Sequence, residues 1–101
     1  MKRMLVWKRI RADKIEAYKE SHRHVWPELL EAYRKAGIQR LSCFLHGVDL
    51  MVFSEYDEAI YPAAKEKLDQ LDVCRRWDAW MSEFLEPGFQ MFEFEEVFRM
   101  E

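Results

Sequence analysis

Between Asp13 and Gly37 the chain carries one long amphipathic pattern, and a proline sits inside it. At about 100° per residue, Ile15, Tyr18, His22, Val25, Trp26, Leu29, Tyr33 and Ala36 fall in one stripe roughly 100° wide. Glu16, Glu20, His24, Glu31, Arg34 and Lys35 lie on the opposite side. A helix with such a stripe has to bury it against another layer. Pro27 complicates this, because it has no N–H to give to the carbonyl of Arg23 and its ring crowds that carbonyl. The helix therefore either kinks near residues 23–26 or breaks in two, the second piece starting with Pro27 as its first residue. Asp13, with Glu16 three residues on, has the spacing of a capping box. Gly37 stands where a left-handed cap is commonly needed.

Alternating segments flank this pattern. Arg3 to Ile10 reads as a first strand, and Ile38–Leu45 and Leu50–Tyr56 as the next two. His46-Gly47-Val48-Asp49 joins those two as a tight hairpin. Glu58 to Leu68 is irregular and partly helical, interrupted by Pro62. Asp72 reads as the N-cap of a helix running to about Leu85, with Val73, Trp77, Trp80, Met81 and Phe84 on one face. Glu86-Pro87-Gly88 stops it, and Phe92, Phe94 and Phe98 alternate in the last strand. The order β-α-β-β-α-β predicts an α+β, ferredoxin-like fold, a four-stranded antiparallel sheet with helices on one face. The other face is then an uncovered apolar surface, which usually marks an interface. The expected partner is a second copy, giving a homodimer of the dimeric α+β barrel type.

Composition narrows the function classes. The 101 residues suit a single domain, residues 1–101, and half of them are hydrophobic. Charge is mixed in sign with a formal net of −3, which is no footprint for nucleic acid. No apolar run approaches the ~20 residues that span a bilayer, and the charged start of the chain does not suit a signal peptide. Cys43 and Cys74 lack metal-ligand spacing and read as small buried thiols, which places the chain in the cytoplasm. There is no phosphate-binding glycine loop, no metal set and no Ser or Cys nucleophile beside a histidine.

The candidate chemistry centres on His22. An imidazole can give and take a proton near neutral pH. Tyr18 lies one turn before it on the same face and Trp26 one turn after. Both aromatics also read simply as large core residues. Trp77 and Trp80 anchor the second helix or stack on the apolar face of a sugar ring. Asp78, beside Trp77, lies off the apolar stripe and reads first as a surface charge, second as an acceptor for a sugar hydroxyl.

The run from Tyr18 to Leu29 resembles the Tyr-x-x-x-His-x-x-x-Trp-Pro-Glu-Leu signature of the L-rhamnose mutarotase family. Asp72-Val73-Cys74-Arg75-Arg76-Trp77 resembles its later Asp-Val-Cys-x-x-Trp motif, and Glu95-Glu96-Val97-Phe98 its closing strand. The resemblance implies a cofactor-free homodimer that interconverts the α and β anomers of a 6-deoxyhexose, L-rhamnose first. It implies His22 as proton donor and Tyr18 and Trp77 as sugar contacts; Tyr18 is also a candidate to assist the proton transfer, and Trp26 and Asp78 are further sugar-binding candidates by position. Asp78 stands where the family commonly has a second tryptophan, and Leu41 where it commonly has a tyrosine. Those departures leave L-fucose or another sugar open as substrate. From other classes, a small-ligand or haem-binding barrel and a cofactor-free monooxygenase are the alternatives.

Overall fold

Pro27 breaks the long helical pattern in two. A computed structural model, which describes residues 1–101, has helix α1 at Ile15–Ser21 and helix α2 at Pro27–Lys35. Pro27 opens α2, where its missing N–H costs nothing. The last backbone bonds of α1 run from His22 N–H to the Lys19 carbonyl and from Arg23 N–H to that of Glu20, both 3.2 Å. His22 is thus the C-terminal cap of α1, not a mid-helix residue.

The strands are β1 (Lys2–Arg9), β2 (Ile38–His46), β3 (Asp49–Tyr56) and β4 (Phe92–Phe94). They form one antiparallel sheet in the order β2-β3-β1-β4. With α1 and α2 before β2, and helices α3 (Lys65–Gln70) and α4 (Asp72–Ser82) before β4, this is the expected ferredoxin-like α+β arrangement. Gly47 and Val48 make the two-residue hairpin turn, with positive φ at Gly47 (59°) and not at Val48. Gly37 caps α2 at φ 95°. A Cβ there would come within 2.9 Å of Ile60 Cβ, so space and backbone both call for glycine.

Register decides which side chains face the helices. Val6, Val52 and Cys43 stand in one row, Met4, Ser54 and Leu41 in the next, and Lys8, Leu50 and Leu45 in a third. Leu50 packs with Tyr18, Ile10 and Phe84 in the core between sheet and helices. All three rows therefore belong to the inner face. A second core cluster joins the helices through Leu29, Ala32, Ala36, Leu68, Cys74 and Trp77.

Four local expectations are corrected. Asp13 is no N-cap: Ala12–Lys14 form a 3₁₀ turn, and the Asp13 carboxylate pairs with Arg11 (3.4 Å). Asp72 is the first residue of α4 and not its cap, with its carboxylate 2.9 Å from Arg76. That helix ends at Ser82, because the chain then turns to meet β1, where Glu86 N–H donates to the Arg9 carbonyl (2.9 Å). The last strand stops at Phe94 and leaves Phe98 78% exposed. Beyond Phe94 only side chains continue the pairing with β1, Arg3 meeting Glu96 at 3.0 Å.

Candidate active site

The break after α1 turns His22 away from a regular helix and into a bracket of polar atoms. Its Nδ1 lies 3.1 Å from the Tyr18 carbonyl oxygen and 2.9 Å from Ser21 Oγ. Ser21 Oγ is itself 2.6 Å from the same carbonyl, so the hydroxyl donates its proton there and accepts from the imidazole. A carbonyl can only accept, which assigns the Nδ1 position as N–H. Nε2 is left to carry the exchangeable proton. Sequence reasoning missed Ser21, which is 6% exposed. Its only signal is its place directly before His22 at a helix end.

Aromatic rings hold this imidazole on two sides. The Tyr18 ring lies 4.3 Å away, tilted by 30°, and Trp77 presents its edge at 5.3 Å. Trp26 packs edge-on against Trp77 (5.1 Å) and parallel to Trp80 (5.9 Å). The sequence-derived set Tyr18, His22, Trp26 and Trp77 therefore meets in one cluster. Trp77 is only 6% exposed, so it backs the imidazole and offers little ring face to a ligand. Trp26 is half-buried and more accessible.

On edge strand β2 the inner-face residues Leu41, 44% exposed, and Cys43 are left uncovered. Cys43 is a correction: only Cys74 is buried, because Cys43 lies on the outer strand of the inner face. Burial pushes the pKa of the Tyr18 hydroxyl well above the ordinary phenol range, with the Cys43 thiol adding to the effect. Tyr18 thus stays a neutral O–H donor. Burial likewise raises Tyr33, with Asp78, Cys74 and Cys43 adding to the effect. Asp78 lies exposed on α4 next to Trp77, and its carboxyl is lifted by desolvation and then by Asp69, against the pull of Lys8 and Lys65. His24 and His46 lie exposed, away from this cluster. No group of histidine, cysteine and acidic side chains is placed to hold a metal ion.

Fold and side-chain cluster together define a class: ferredoxin-like α+β proteins with a histidine set among aromatic rings beside the sheet. The family is more specific. The L-rhamnose mutarotase family model matches residues 3–100, and the chain belongs to that family. The L-rhamnose mutarotase of Burkholderia ambifaria is 34% identical over 76 residues, covering 72% of this chain and 69% of the relative. That of Bacillus subtilis is 34% identical over 73 residues, covering 72% and 67%. The aligned stretches thus take in about two thirds of each relative's length. Among solved structures, the L-rhamnose mutarotase of Formosa agariphila superposes over 100% of both chains with a TM-score of 0.81 at 23% identity. An antibiotic biosynthesis monooxygenase matches with a TM-score of 0.62 at 13% identity over 94% of this chain and 97% of its own. At that identity the likeness is one of fold alone.

Proposed function

We propose that this protein interconverts the α and β anomers of L-rhamnose by opening and reclosing the sugar ring, with His22 as the proton donor. Family membership supports the reaction class, sugar mutarotase, an isomerase. The observation that carries the residue assignment is the saturated Nδ1 of His22, which leaves Nε2 as the single working nitrogen.

In ring opening, Nε2–H of the imidazolium protonates the ring oxygen as its bond to the anomeric carbon breaks. The anomeric hydroxyl loses its proton and becomes the aldehyde carbonyl. Water accepts that proton. The aldehyde end rotates, and the new hydroxyl attacks the other carbonyl face while Nε2 takes its proton back and the water returns its own to the carbonyl oxygen, which becomes the anomeric hydroxyl. The imidazole ends as it began. Neutral Tyr18 donates a hydrogen bond to the sugar, and Trp26 and the Trp77 edge shape the apolar wall.

Residues 1–101 act as one domain without a cofactor, and the outer sheet face joins two copies into a homodimer. That face carries Leu5, Trp7, Phe44, Phe53, Phe92 and Phe94, of which Phe44 is 60% exposed. Size-exclusion chromatography with light scattering is expected to give a dimer that Phe44→Asp splits; a wild-type monomer at micromolar concentration contradicts this. No helix is long and apolar enough to cross a membrane, and a cytoplasmic setting suits the two free thiols. The direct test of the reaction is NMR saturation transfer between anomers across L-rhamnose, L-fucose and related sugars. Enhanced exchange on L-rhamnose is expected, and no enhancement on any sugar would sink the reading.

A further inference from the structure

Between α1 and α2 the chain runs through five residues, His22 to Trp26, that belong to neither helix. The backbone of this connector is bonded only at its ends. His22 and Arg23 donate to the Lys19 and Glu20 carbonyls, and the Trp26 carbonyl accepts from Leu29 (3.0 Å) and Leu30 (3.2 Å). Side chains must fix the rest. Arg23 and His24 are exposed, while Val25 and Trp26 pack against the helical core. As the residue before Pro27, Trp26 is held extended (φ −59°, ψ 126°), and its ring lands on α4.

Three residues of α4 receive that indole. Trp77 meets it edge-on at 5.1 Å and Trp80 lies parallel at 5.9 Å. The third is Arg76, whose guanidinium carbon stands 5.4 Å from the ring centroid. Arg76 is the solvent-side member, its side chain 57% exposed, and its Nε donates to the Asp72 carboxylate one turn earlier at 2.9 Å. The contacts form an unbroken line from Asp72 to Arg76, on to Trp26 and Trp77, and from the Trp77 edge to the His22 imidazole at 5.3 Å. An exposed ion pair and an exposed cation over a ring each contribute little to global stability. They weigh more on a short connector whose middle has no backbone bond of its own.

We propose that Arg76, aimed by Asp72, is a positioning residue: it clamps Trp26 onto α4 and so holds the connector in the conformation that presents His22 to the sugar. Its kinetic consequence rests on the mutarotase reading above, whereas the clamp itself can be read without sugar. An arginine suits the place because its planar fork bonds a carboxylate and lies over an aromatic ring at the same time. A lysine there keeps the charge and loses the fork.

The test compares wild type with Arg76→Ala, Arg76→Lys, Trp26→Leu and the double variant of Arg76→Ala with Trp26→Leu. Three readouts run side by side: histidine ring resonances by NMR without sugar, acrylamide quenching of tryptophan emission, and anomer exchange of L-rhamnose. Arg76→Ala is expected to shift the ring protons of His22, which lie against Tyr18 and Trp77, and to leave those of His24 and His46 in place. Quenching should rise and kcat fall about two- to fivefold, the size of one exposed cation–ring contact. Arg76→Lys should recover part of each loss. In the Trp26→Leu background, Arg76→Ala should cost nothing more. Unchanged His22 resonances and kcat in folded Arg76→Ala overturn the clamp, even where the melting temperature drops. An equal further loss in the Trp26→Leu background overturns it too. If wild type does not speed exchange, the mutarotase reading fails, and the ring resonances and quenching alone decide the clamp.

Discussion

Ser21→Ala isolates the bracket that orients His22. The hydroxyl lies 2.6 Å from the Tyr18 carbonyl and 2.9 Å from His22 Nδ1, and the residue is 6% exposed. Its loss removes two bonds but leaves the carbonyl, at 3.1 Å, to hold Nδ1. The net cost in stability is then about 1 kcal/mol, or a melting temperature lower by roughly 4–8 °C for a domain of this size. The effect on rate is larger. When His22 is protonated, the bond to Ser21 is charge-assisted, and losing it lets the imidazole swing on one anchor. A loss of about 1.4 kcal/mol in transition-state stabilisation corresponds to a tenfold fall in kcat. KM should hold, because Ser21 is buried behind the imidazole and away from the sugar. Anomer exchange by NMR, measured well below the melting temperature, reads both parameters. Wild-type kcat in Ser21→Ala, or a loss confined to KM, would refute the orienting role.

Two further outcomes test the fold and its electrostatics. Gly37→Ala forces a Cβ to 2.9 Å from Ile60 at a backbone φ of 95°, and a destabilisation of about 1–3 kcal/mol is expected by urea denaturation; an unchanged midpoint contradicts the close approach. Tyr18 has its pKa raised in the folded chain, so the unfolded chain loses this proton first, near pH 10. Stability is full below that pH and falls above it, by up to about 1.4 kcal/mol per pH unit from this residue. Tyr18→Phe should flatten the fall between pH 10 and 11; equal slopes in both proteins contradict the burial of the phenol.

Much of this architecture could be read directly from the residues. Period-3.6 and period-2 patterns placed the strands and the helices α1, α2 and α4, but not α3, while Pro27 marked where the first helical stretch kinks or breaks and Gly37 its cap. The Tyr18–His22 face was visible because both residues share one turn of one stripe. What stayed hidden depends on the sheet. Alternation alone does not say which parts of a strand face the helices cover, so Cys43 reads as a core thiol. Only the outer position of β2 in the sheet leaves it uncovered. Asp13 and Asp72 misled because a capping residue and a first-turn acid look alike in sequence, both being favoured at helix starts. Ser21 was invisible for a different reason: its role exists only because α1 ends there.

The central claim is that His22 passes a proton to the sugar ring, and its most direct test is the anomer exchange of L-rhamnose by His22→Ala. Wild type should accelerate exchange well beyond the spontaneous rate. The variant, with an unchanged far-ultraviolet circular dichroism spectrum, should lose about 10²–10⁴-fold of kcat. Exchange at the wild-type rate in the folded variant would contradict the account.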